Sequence, residues 1–136
     1  MEDKKQISII TDEADKTQDT AKTIAGIIES LPENRYFASI VNAENFSATD
    51  LQPAVIFFIG CETPKPASFS KVDELFEHIN FAGRSCGIFA QEGKALEYLT
   101  KIVNNTEASV SALPLEEKTE AGLKAWIEGV IERCRL

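Results

Sequence analysis

The feature that most restricts the fold of this chain is a regular alternation of short apolar runs with segments of helical periodicity. The third apolar run is hydrophobic at every position from Val55 to Ile59, which is typical of a central strand in a parallel sheet covered on both faces. Right-handed crossovers then predict a three-layer α/β/α fold. We expect five parallel strands in the order 2-1-3-4-5, at residues 6–11, 36–41, 54–60, 85–91 and 108–113.

The segments between these runs predict the helices. Their apolar residues recur at helical spacing, as in the stripe Leu123, Trp126, Ile127, Val130 and Ile131 near the end of the chain. Trp126 is therefore expected to be a core residue. Residues 42–53 are long enough for a crossover but hold at most a turn or two of helix, around 49–52, so one helix of the pattern is missing or vestigial.

Length and charge narrow the class of protein. A chain of 136 residues is expected to form a single domain, 1–136, with one main core. A net charge of −8 argues against binding to nucleic acid or to an anionic membrane surface, because both need a basic protein surface. The polar first residues and the short apolar runs predict neither a signal peptide nor a membrane helix. We therefore expect a cytoplasmic protein. Its negative charge is explained by plain solubility, which we favour, or by a basic protein partner.

The loop after the first strand is the most unusual segment. In open α/β sheets the loops after strands one, three and four meet where ligands bind, and a strand-to-helix turn there is a natural anion site. The first of these loops has three carboxylates and no glycine, with the sequence Thr11, Asp12, Glu13, Ala14, Asp15, Lys16 and Thr17.

The chain resembles the flavodoxin family from Gln6 to about Arg133. Residues 50–63 resemble the third strand and following loop of that family, with Gly60, Cys61 and Thr63 retained. Weaker matches are Thr17, Ala21 and Ile24 after the first strand, Ala82, Gly83 and Arg84 before the fourth strand, and Gly87, Ile88 and Phe89 within it. The resemblance implies a flavodoxin-like fold and an electron carrier that holds FMN between the loops at 11–17, 60–69 and 90–94, the last of which includes Ala90 and Gln91.

Several departures from the family pattern count against FMN. Acidic residues stand where the family has hydroxyls and glycines, Glu62 replaces a proline, and Pro64 replaces the aromatic residue that would stack on the flavin. A phosphate dianion about 6 Å from a carboxylate is repelled by roughly 0.7 to 3 kcal/mol per charge pair, and a helix N-terminus returns only about 0.3 to 2 kcal/mol. We expect FMN to be absent or bound no tighter than tens of micromolar. If the protein is instead an FMN electron carrier, Phe69 or Phe46 would be the substitute ring-stacking residue.

Three interpretations of the acidic loop stay open at this point. The carboxylates can close the helix themselves by capping its N–H groups. They can instead border a working FMN site. Asp12 and Glu13 also match the acidic pair of a magnesium-binding receiver domain. That family needs an aspartate at the end of strand three and a lysine after strand five, and this chain has neither, at residues 59–61 or at residues 113–115. We favour a non-catalytic module for protein association, for example with a redox enzyme, over an FMN electron carrier, and the receiver is the weakest of the three.

Side-chain catalysis has little support in the sequence. His78 is the single histidine and lies one position off an apolar helical stripe, so we expect it to be solvated. The three cysteines lack the paired spacing of a zinc or redox motif. Cys86 and Cys134 are predicted to be core residues. Cys61 is predicted to lie on a loop as the most accessible thiol, with Glu62 disfavouring its thiolate.

Overall fold

The structure is a computed structural model that describes residues 4–47, 49 and 54–135. Its strands are β1 Lys5–Thr11, β2 Tyr36–Asn42, β3 Ile56–Cys61, β4 Ser85–Ala90 and β5 Ser109–Ala112, and its main helices are α1 Asp15–Glu29, α2 Ser70–Phe76, α3 Gly93–Asn104 and α4 Glu120–Glu132. The strands form one sheet in the order β2-β1-β3-β4-β5, and every neighbouring pair is parallel. The predicted strand order is confirmed, and each predicted strand is found within two residues of its expected ends.

Side chains that alternate along β3 divide the core into two clusters. Phe57 and Ile59 pack on the side of α2 and α3, whereas Ile56 and Phe58 pack on the side of α1 and α4. All four are buried, as the uninterrupted apolar run predicts for a strand covered on both faces. The α/β/α layering is therefore present around the central strand.

The connection between β2 and β3 is rudimentary, as predicted, in the part that the structure describes. A short 3-10 helix, Ala43–Asn45, follows β2, and the Asn42 side chain caps it by accepting a hydrogen bond from Glu44 N. Phe46 then turns inward, where its ring lies 6.2 Å from that of Phe76. The helical turn predicted at 49–52 lies outside the described residues except for Thr49. Within the described segments, no helix has the length and apolar character needed to cross a bilayer.

Trp126 anchors α4 in the core, as its place on the apolar stripe predicts. Its ring packs edge-on against Phe58 and Phe89 at centroid distances of 5.2 and 6.4 Å. Its indole N–H donates to the carbonyl of Ser111, so the polar atom of this buried ring is satisfied. His78 is exposed, which agrees with the prediction that it is solvated.

Candidate functional site

Parallel pairing brings the ends of β1, β3 and β4 to one edge of the sheet. Thr11 lies beside Gly60, and Cys61 lies beside Ala90. The loops that begin at these residues are therefore neighbours, as expected for an open α/β sheet. This edge is the candidate site.

Asp12 joins two of these loops. Its carboxylate Oδ1 accepts a hydrogen bond from Ala14 N at 3.2 Å, and Oδ2 accepts one from Glu62 N at 2.7 Å. Only 6% of Asp12 is exposed, so both bonds are largely shielded from water. The carboxylate therefore accepts from two backbone N–H groups at the sheet edge, which is what a bound anion would do.

Gln18 fastens the same loop from the helix side. Its Nε2 donates to Thr11 Oγ1 at 2.7 Å and to the carbonyl of Asp12 at 2.8 Å. Gln18 lies one turn into α1, so its side chain reaches back over the helix start. No motif in the sequence predicts this role of Gln18, and its position in the first helical turn after an unusual loop is the one available signal.

The start of α1 differs from the predicted capping. The N-cap residue is Ala14, whose side chain cannot accept a capping hydrogen bond, and no capping bond from a side chain is found there among the described residues. Asp12 instead forms a local turn by accepting from the residue two positions on. The first bond of the helix runs from Gln18 N to the carbonyl of Ala14, so the N–H groups of Asp15, Lys16 and Thr17 have no acceptor within the helix.

Thr17 has an unsatisfied polar atom at this helix start. Its side chain is 1% exposed, and its Oγ1 has no hydrogen-bond partner among the residues that the structure describes. Buried hydroxyls are nearly always paired, so an unpaired one is a feature that needs an explanation. Thr17 is the third residue of α1 and is the last residue of the loop at 11–17 that the sequence predicts as a possible phosphate site.

The remaining charged residues of the loop face solvent. Glu13 is exposed, and its Oε1 accepts from Asn42 Nδ2 at 3.1 Å, which ties the loop to the end of β2. Asp15 and Lys16 are exposed at the first turn of α1. One carboxylate, that of Asp12, is therefore buried in the loop, and the other two border it.

The loop after β3 does not match the predicted accessibility. Cys61 is the last residue of β3 and is 0% exposed, so the prediction that it is the most accessible thiol is wrong. Cys86 is buried as predicted, whereas Cys134 is partly exposed beyond the end of α4. Thr63 is exposed. Phe69 is fully buried, as is nearly all of Phe46, so neither presents a ring for stacking on a ligand at the surface.

Burial controls the chemistry of Cys61. Desolvation raises the pKa of its thiol to about 12, and the negative charges of Asp12, Asp73 and Glu92 add to the shift. The thiolate is disfavoured as expected, but Asp12 makes the largest electrostatic contribution and Glu62 is not among the causes. A thiol held in this form is a poor nucleophile.

Gly60 has a packing role in this structure. A Cβ built on Gly60 would lie 2.2 Å from the ring of Phe89 on the neighbouring strand. The retained glycine therefore makes room for a core aromatic, and by itself it does not indicate a phosphate cradle.

Ala90 and Gln91 border a separate groove of about 270 Å³ on the α1 and α4 side of the sheet. Phe89, Leu113 and Leu123 give it apolar walls, and none of its lining residues comes from the loops after β1 or β3. Of the predicted site residues, those of the first loop thus lie around Asp12, and Ala90 and Gln91 lie at this groove, whereas Cys61 and Phe69 are buried in the core. No cluster of three or more metal-ligating side chains is found among the described residues.

No protein-family model matches the sequence, and no curated protein matches it. The fold nevertheless resembles solved flavodoxins. A short-chain flavodoxin associated with a bacterial microcompartment has a TM-score of 0.77 at 10% identity, with 96% of this chain and 99% of that chain covered. The Streptococcus pneumonia TIGR4 flavodoxin has a TM-score of 0.77 at 14% identity, covering 94% and 98%. Oxidised flavodoxin 2 from Bacillus cereus has a TM-score of 0.68 at 16% identity, covering 94% and 99%. This protein therefore has a flavodoxin-like fold.

Proposed function

We propose that this protein is a flavodoxin-like module that acts by associating with a basic protein, and that it binds FMN weakly or not at all. The observation that carries the proposal is the Asp12 carboxylate, which accepts hydrogen bonds from backbone N–H groups of two loops at the edge where flavodoxin-like folds bind ligands. An internal carboxylate with these partners takes the place of an external anion.

The energetic argument favours the closed loop. A phosphate group that approaches this junction must either displace the Asp12 carboxylate or lie beside it. Displacement breaks two charge-assisted hydrogen bonds, which contribute about 1.5 to 3 kcal/mol each. Coexistence costs roughly 0.7 to 3 kcal/mol for each charge pair at about 6 Å. Both routes weaken FMN binding.

The charge of the protein supports the choice of partner. The net charge is −8, and the carboxylates of Glu13 and Asp15 are exposed next to the closed loop. An acidic surface of this kind accelerates encounter with a basic protein, at a rate that falls as ionic strength rises.

Fluorescence titration of FMN tests the proposal. We expect the wild-type protein to bind FMN no tighter than tens of micromolar, that is, by roughly −6 to −7 kcal/mol. Asp12→Ser should bind FMN at least about tenfold more tightly, because it removes the buried charge and releases two N–H donors. Glu97→Ser is the control, since it removes an exposed carboxylate on α3 that borders neither the Asp12 loop nor the groove at Ala90 and Gln91. Stoichiometric flavin in the purified wild-type protein would contradict the proposal.

One observation favours the second candidate, an FMN electron carrier. The buried Thr17 hydroxyl has no partner in the described part of the chain, and it lies at a helix start whose first N–H groups lack acceptors within the helix. A phosphate group there would satisfy both. If the wild type binds FMN tightly, Thr17→Val should weaken that binding more than Thr20→Val, which alters a hydroxyl that already donates to the carbonyl of Lys16.

A further inference from the structure

The outer edge of β2 is poorly protected for an edge strand. β2 lies at the end of the sheet and pairs with β1 on its other side. Its sequence, YFASIVN, contains no charged residue, proline or glycine. Phe37 and Ile40 are 39% and 38% exposed, which is unusual for large hydrophobic side chains in this protein. Edge strands usually carry charges, prolines or bulges that prevent pairing with another chain.

The direction of the outward backbone groups follows from two hydrogen bonds. Lys5 N donates to the carbonyl of Arg35, so residue 35 faces β1. Ala38 N donates to Glu29 Oε2 at 3.2 Å, so residue 38 faces away from the sheet. Because backbone groups alternate along a parallel strand, the N–H and C=O of Ile40 also face outward.

The opposite edge of the sheet is better protected. β5 has only four residues, and Arg133 Nη1 donates to the carbonyl of Val110 at 3.2 Å. β2 has seven residues, and Glu29 covers its N-terminal half by accepting from Ala38 N. Among the described residues, the half of β2 that contains Ile40 is therefore less covered than either the N-terminal half of β2 or the edge of β5.

Charge indicates what can pair with β2. The Glu29 carboxylate lies on the edge itself, Glu13 bonds to the side chain of Asn42 at the end of the strand, and exposed Glu44 follows two residues later. A second copy of this chain would bring the same carboxylates and a net charge of −8 to the interface. An extended segment with lysines at its ends would neutralise them instead.

We propose that the outer edge of β2 binds an extended, basic segment of a partner protein, which adds a sixth strand to the sheet. The partner's main chain bonds to the outward groups of Ile40, and its apolar centre packs beside Phe37 on one face and Ile40 on the other. Its basic ends pair with Glu29 and Glu13. This inference extends the proposed role in protein association, and its test does not involve flavin, so either proposal can fail alone.

A pair of synthetic peptides tests the edge. The basic peptide is Lys-Thr-Val-Ile-Val-Thr-Lys, which matches the seven residues of β2, and its control has glutamate at both ends. With labelled peptides and the full chain, we expect the basic peptide to bind more tightly in an anisotropy titration. Amide exchange measured by NMR should then slow at Ile40 and change least on α3.

Two variants separate edge pairing from general charge attraction. Ile40→Pro removes an outward N–H without removing a ladder bond, which edge strands tolerate, and it should weaken peptide binding about tenfold or more. Ile40→Lys should weaken it similarly while keeping the N–H. Glu97→Gln removes an exposed carboxylate on α3, far from β2 in the sheet order, and should change binding less than about twofold.

Three outcomes would overturn the proposal. The first is binding of the basic peptide that is unchanged in both Ile40 variants. The second is equal binding of the two peptides. The third is a wild-type dimer in sedimentation that Ile40→Pro converts to a monomer, because a second copy would then be the partner of this edge.

Discussion

Replacing Asp12 by serine should lower the free energy of unfolding and raise the affinity of the loop for anions. These two opposite changes together identify the carboxylate as an internal substitute for a bound anion. Asp12 is nearly buried and accepts hydrogen bonds from Ala14 N and Glu62 N at 3.2 and 2.7 Å. A hydrogen bond to a charged group contributes about 1.5 to 3 kcal/mol to stability. Serine can restore part of the bond to Ala14 N as a local turn, so we expect a loss of about 2 to 4 kcal/mol.

Urea denaturation at pH 7 measures this loss, with Asp19→Ser as the exposed control, for which we expect a change within about 0.5 kcal/mol. Repeating the measurement in phosphate, against chloride of equal ionic strength, measures anion binding. If the variant binds phosphate with a dissociation constant of about 5 mM, 50 mM phosphate should stabilise it by about 1.4 kcal/mol. Wild type should gain much less. Equal stability of the two variants, or equal phosphate effects on Asp12→Ser and wild type, would refute the reasoning.

Three further predictions concern the core. Gly60→Ala should destabilise the fold by about 1 to 3 kcal/mol because its Cβ would lie 2.2 Å from the Phe89 ring, and Phe89→Leu should relieve part of the loss in a double-mutant cycle of urea midpoints. Native thiol labelling should modify Cys134 first, and Cys61 and Cys86 should react only as the protein unfolds locally. Labelling of Cys61 as early as Cys134 would contradict its burial. Burial raises the pKa of the Cys61 thiol from 9.0 to about 12. The contribution of the protonated thiol to stability is therefore complete below pH 9 and is lost as pH rises towards 12. The urea midpoint should fall over that range, and it should fall less steeply in Cys61→Ala.

The strand order could be predicted because the strongest signals in the chain are patterns of burial. The run around Phe57 and Phe58 is apolar at odd and even positions alike, and the strand is buried on both faces of the sheet. Trp126 likewise occupies the position that its helical stripe predicts. These predictions depend on many residues at once, so an error at one position does not change them.

The site was harder to predict because it depends on single side chains. Cys61 was assigned to a loop because Gly60 resembled the start of a ligand cradle. Residues two apart on a strand point to the same face, so Cys61 lies on the same face as Phe57 and Ile59. This alternation would have predicted that Cys61 points into the core. The acidic loop was predicted to cap α1, but which carboxylate turns inward depends on a contact with Glu62 N, fifty residues away in the sequence. No local pattern contains that information.

Asp12 and Thr17 have opposite consequences for ligand binding, and their magnitudes show which dominates. Opening the loop for an anion breaks the two bonds of the Asp12 carboxylate, which together contribute about 3 to 6 kcal/mol before any replacement. A phosphate that took its place would regain bonds to the same N–H groups, and would add the Thr17 hydroxyl and the helix dipole, which contribute about 0.5 to 1.5 and 0.3 to 2 kcal/mol. The carboxylate, however, is already held in place by the chain, whereas a free ligand loses about 4 kcal/mol or more of translational and rotational freedom when it binds. That cost exceeds the added gain, so the closed loop is the more stable state unless the rest of the ligand supplies contacts elsewhere on the sheet edge.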